Sequence, residues 1–240
     1  MRVWMAALLV VLGGCASSGP VLRDGLPSYA TAQAALASGA PDLALRVCSG
    51  LLDKSPRNVD LLNCQGDALT AQGRVPEAEA SFRQALRFDA SSEGAQIGLG
   101  RLSLATRPAE AEALFLKVLD RRPRNAVALN NLGIARDLQG QHTAAQDAYG
   151  QAIAAAPNMR AAQINLALSL ALSGRGAEAV RLARPLAEAP GSTVKERHVL
   201  AAVLGMSGER AEAVRLLQPD LPTRQVDEAL EGYKALPTTR

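Results

Sequence analysis

One pattern recurs along this chain at a spacing of 33 or 34 residues, and a period of that length leaves few folds open. Its most regular copy runs from Ala126 to Pro157, AVALNNLGIARDLQGQHTAAQDAYGQAIAAAP. With Ala126 as position 1, Leu129, Leu132 and Gly133 stand at positions 4, 7 and 8. Gly140 stands at 15, Ala145 at 20, Tyr149 at 24, Ala152 at 27 and Pro157 at 32. Further starts fall near Gly25, Val59, Glu93, Arg160 and Val194. Position 8 is always small (Ala32, Gly66, Gly100, Gly133, Ala167, Ala201), and so is position 20 (Ala44, Ala78, Ala111, Ala145, Ala179, Ala213), the third unit being one residue short. Small residues in those two columns let paired helices approach closely, while larger ones at 4, 7, 24 and 27 fill the gaps between them. Glycine at 15 serves a turn and proline at 32 stops the second helix. The turn glycines are Gly39, Gly73, Gly140, Gly174 and Gly208, and the third unit carries Thr106-Arg107-Pro108 instead.

Composition agrees with an all-α chain. There are 46 Ala and 36 Leu among 240 residues, both strong helix formers. Aromatics are 3% and the formal net charge is +3, so neither base-stacking platforms nor a basic nucleic-acid footprint is expected. Three cysteines and two histidines, with no CxxC, HExxH, GxGxxG, Walker A or GxSxG motif, predict no metal, no cofactor and no catalytic centre.

The repeat resembles the tetratricopeptide repeat (TPR), a helix-turn-helix unit. The resemblance implies a superhelical solenoid of six units over residues 25–236. A final helix, Thr223 to Leu236, with Val226, Leu230 and Tyr233 on one face, is expected to cap its last apolar surface. In that family, positions 2, 5, 9 and 12 of each first helix face a groove where partner proteins bind. The groove residues singled out this way are Asn130, Ile134, Ile164, Leu168, Lys195 and His198, joined by Asn131 and Asn165 at position 6. The groove positions of unit two are acidic and polar (Asp60, Asn63, Asp67, Thr70), whereas those of unit five are wholly apolar. Ile164 and Leu168 are expected to form a floor with Ile134 at its edge, unless the groove closes over itself or the C-terminal helix or a second copy covers them. Asn130, Asn131, Asn165 and Lys195 partly match a clamp for a peptide backbone and carboxylate. Val199 replaces a second basic residue, Ile134 replaces another asparagine, and asparagine at position 6 is also an ordinary local backbone partner. His198 is expected to contact a partner and His142 to lie solvated in a turn. Cys48 and Cys64 fall on helices that pack together, as a disulfide or as small core residues.

The first residues form a different segment. Arg2 precedes an apolar run from Val3 to Leu12, about ten residues, which is too short to span a bilayer of roughly 30 Å. Leu12-Gly13-Gly14-Cys15 resembles the lipobox of bacterial lipoproteins. That resemblance implies a signal peptide over 1–14, a lipidated Cys15, and a tether over 15–24. Ala16 in place of aspartate implies outer-membrane sorting, with the folded body in the periplasm.

Together these features resemble the TadD-type lipoproteins of Flp (tight adherence) pilus assembly, most specifically in the run RHVLAAVLGMSGERAEAVRLLQPDLPTRQVDEALEGYKAL. The resemblance implies a non-enzymatic scaffold whose partners are proteins of a pilus or secretion machine, with no nucleic acid and no small-molecule substrate. A pilotin-like adaptor, or one serving cell-wall or outer-membrane biogenesis, is the other reading of the same features.

Overall fold

The structure, a computed structural model, describes residues 28–235. The expected signal peptide, Cys15, the tether, Gly25, Leu26 and Leu236 lie outside them. Among the described residues there are thirteen helices and no strand. They fall in pairs: α1 (Tyr29–Ala37) with α2 (Pro41–Leu52), α3 (Val59–Ala71) with α4 (Val75–Phe88), and α5 (Glu93–Ser103) with α6 (Pro108–Arg121). Then come α7 (Ala126–Asp137) with α8 (His142–Ala155), α9 (Arg160–Leu172) with α10 (Gly176–Glu188), and α11 (Val194–Met206) with α12 (Arg210–Leu217). The last helix is α13 (Thr223–Ala235). Five first helices begin on the residue that the period marks: Val59, Glu93, Ala126, Arg160 and Val194. The first unit departs, because its helix starts at Tyr29 and not at Gly25. Extended Ser28 is its N-cap, and the Ser28 hydroxyl accepts the Thr31 N–H at 3.2 Å.

Side-chain caps mark the first helices other than α9. Asn58, Ser92, Asn125 and Thr193 cap first helices by accepting a backbone N–H three residues on. Second helices follow tight turns, in which Gly39, Gly73, Gly140, Gly174 and Gly208 have φ from 72° to 86°, the left-handed region that glycine enters without strain.

Each helix packs on its neighbours in the chain, and each first helix also touches the first helix of the next unit. Among the described residues no second helix packs on another second helix. First helices therefore line the inner, concave side of a curved stack, and second helices lie outside.

Within units two to four one ring fills each helix pair. Phe82, Phe115 and Tyr149 are buried against Gly66, Gly100 and Gly133. Unit one has Cys48 in that place, and a disulfide joins it to Cys64 of α3 with Cα atoms 6.2 Å apart. At the other end α13 buries Val226 and Leu230 against Leu204 and Leu217, with Tyr233 packed beside them. It contacts α11 and α12 but not α9, so it does not cover the Ile164 and Leu168 region.

Candidate partner-binding groove

The inner stripe is polar where it begins. Asp60 is exposed on α3, while Asn63 and Asp67 are half-buried one and two turns further along the same face. Asn63 donates from Nδ2 to Ser92 Oγ at 3.0 Å, tying α3 to the cap of α5, and its Oδ1 is buried without a hydrogen-bond partner. Burial pushes the Asp67 carboxyl above the ordinary carboxylate range, and the Arg101 charge opposes that. The Tyr29 phenol is raised by its own burial and then by the negative charges of Asp60 and Asp67.

Two of the three asparagines are engaged with each other. Asn165 donates to Asn130 Oδ1 at 2.9 Å, linking α9 to α7. Asn131 is buried and donates to the Val127 carbonyl at 2.8 Å, the local backbone role open to asparagine at position 6. Of the expected apolar floor, Ile164 is only 5% exposed and has little surface to offer. Leu168 and Ile134 remain half-buried, and both lie outside the buried clusters that hold the helix pairs together.

At the far end Lys195 is exposed. His198 is part-exposed, with Nε2 3.2 Å from Asp220 Oδ2, and Arg197 Nη2 donates to both Asp220 oxygens at 3.0 Å. Asp220 is the anion that ties α11 to the loop before α13.

His142 is not solvated in a turn. It is the first residue of α8 and is buried, with Nδ1 2.8 Å from Asp137 Oδ1. The same carboxylate accepts from Tyr149 Oη at 2.9 Å and from Ser169 Oγ at 2.7 Å. Helix-start geometry and the neighbouring turn hid this network, since Asp137 and Ser169 stand 32 residues apart. Serine, histidine and aspartate meet here in the wrong order for nucleophilic chemistry, because the serine hydroxyl donates to the aspartate and not to the imidazole. The arrangement joins three helices and satisfies buried polar groups. Among the described residues no three His, Cys, Asp or Glu side chains are placed to hold a metal ion, and no helix is long and apolar enough to cross a membrane.

Two profiles of the tetratricopeptide repeat match the chain, one over residues 29–93 and 139–193 and the other over 114–147. An uncharacterised protein of Sinorhizobium fredii (strain NBRC 101917 / NGR234), y4yS, is 36% identical over 98 residues, which is 40% of this chain and 54% of that protein. The match thus spans about half the length of that relative. Among solved structures, PilW, described as a widely conserved type IV pilus biogenesis factor, superposes with a TM-score of 0.71 at 22% identity, covering 86% of this chain and 96% of that one. The pilF protein of Pseudomonas aeruginosa superposes with a TM-score of 0.67 at 15% identity, covering 85% and 95%. At such identities the likeness is one of fold.

Proposed function

The chain belongs to the tetratricopeptide repeat family, and from that premise we propose a scaffold without chemistry of its own, whose groove holds protein components while a pilus machine of the Flp (tight adherence) kind is assembled. Lipidated Cys15 tethers it to the outer membrane, with the solenoid in the periplasm. One observation carries the binding role: Ile134 and Leu168 are apolar, only half-buried and on the inner face, apart from the clusters that stabilise the fold. A partner segment that covers them removes apolar surface from water at about 25 cal/mol per Å². The Cys48–Cys64 disulfide supports an oxidising compartment such as the periplasm. The fold shared with PilW and pilF supports pilus assembly over wall synthesis as the setting.

Deletion of the gene, complemented by variants, tests this reading. Deletion is expected to abolish the multimeric outer-membrane secretin ring, and the wild-type gene to restore it. Ile134→Asp with Leu168→Asp should fold, by circular dichroism, yet fail to restore the ring. Cys15→Ser should leave the membrane fraction. A ring that survives deletion, with cell-wall defects instead, overturns the pilus role. Full complementation by the double aspartate variant overturns the groove.

A further inference from the structure

The inner stripe changes chemistry along its length. Tyr29 of α1 and Asp60 and Asp67 of α3 stand on two inner helices that pack against each other, and both carboxylates raise the tyrosine phenol. Asp67 is a half-buried carboxylate which, among the described residues, accepts no hydrogen bond, and Arg101 opposes its charge without a direct ion pair. A desolvated carboxylate with that little compensation gains when a cation is brought to it. The Tyr29 ring, 37% exposed, offers a face to a cation beside the exposed Asp60 carboxylate. On the next inner helix, α5, exposed Arg101 repels a second cation, and beyond it the stripe turns apolar at Ile134 and Leu168.

Resting on the groove reading above, we propose that the Tyr29, Asp60 and Asp67 end of the groove seats a basic side chain, an arginine or lysine, of the same partner segment whose apolar residues cover Ile134 and Leu168. The acidic end and Arg101 then fix which way the segment runs. First helices packed about 8–10 Å apart put the two subsites roughly 20–30 Å apart, from α3 to α7 and α9. An extended segment bridges that with about six to nine residues, and a helical one with about twice as many.

A random 24-residue peptide display library, panned on the immobilised full chain carrying Cys15→Ser, tests the proposal. Selected sequences are expected to carry Arg or Lys at that spacing to one side of an apolar pair. A selected peptide should bind Asp60→Asn/Asp67→Asn about tenfold more weakly and with a shallower salt dependence, circular dichroism being unchanged. Leu168→Asp should abolish its binding. Peptides that need Leu168 but show no basic preference, or that bind the double asparagine variant unchanged, overturn the basic subsite and leave the groove reading standing. Peptides indifferent to Leu168→Asp, or no enrichment at all, overturn both.

Discussion

The ring of Tyr149 occupies the space that a Cβ on Gly133 would need, closer than real side chains approach one another. Tyr149 is 1% exposed and its hydroxyl is held by Asp137, so the ring has nowhere to move. Gly133→Ala is therefore expected to destabilise the protein by about 1–3 kcal/mol, despite alanine's better helix propensity. Gly150→Ala, in the exposed middle of α8 with nothing within 4 Å, should instead stabilise by about 0.5–1 kcal/mol. Urea melts of the two variants read the opposite signs.

Tyr149 also sets an alkaline limit. Burial first, and then the charge of Asp137 and the hydrogen bond to it, push the phenol well above its ordinary 10.0. A pKa raised on folding gives stability that is complete below the unfolded value and is lost as pH rises past it. The melting temperature is expected to fall above about pH 10, and less steeply in Tyr149→Phe.

Glu196 sets an acid limit with the reverse sign. Its carboxyl is held at about 2, against an ordinary 4.5, chiefly by Arg160 Nε at 2.5 Å and then by the Thr193 N–H at 2.7 Å. A depressed pKa gives stability that is present above 4.5 and lost as pH falls toward 2. Glu196→Gln should melt earlier than wild type at neutral pH, and that gap should narrow through this window as measured by thermal melts.

Cys48→Ala with Cys64→Ala removes the bond that takes the place of a packing ring in unit one. Closing a loop of 16 residues is worth about 3 kcal/mol, so a loss of that order is expected. Hydrogen exchange should show it first in α1 and α2, the outermost unit among the described residues. Alkylation with mass measurement, with and without reductant, checks the bond itself.

Asp137→Ala strips one carboxylate from three donors at once. With each orphaned group costing about 1–3 kcal/mol, it is expected to exceed Tyr149→Phe or Ser169→Ala alone. Chemical denaturation of the three variants ranks them.

Periodicity marked the repeat units and five of the helix starts, and the resemblance to the tetratricopeptide repeat that this period carries implied the solenoid and the face each first helix turns inward. Each unit packs mainly on its immediate neighbours, so small residues at positions 8 and 20 and glycine at 15 write the contacts into local sequence. Tertiary structure alone decided which inward side chains meet and how deeply they sit. Asn165 finds Asn130 across 35 residues, Ser169 and His142 converge on Asp137, and Ile164 sinks where Leu168 does not. A repeat pattern assigns a residue to a face, but depth and partner depend on the curvature of the stack and on the side chains that the adjacent units place opposite.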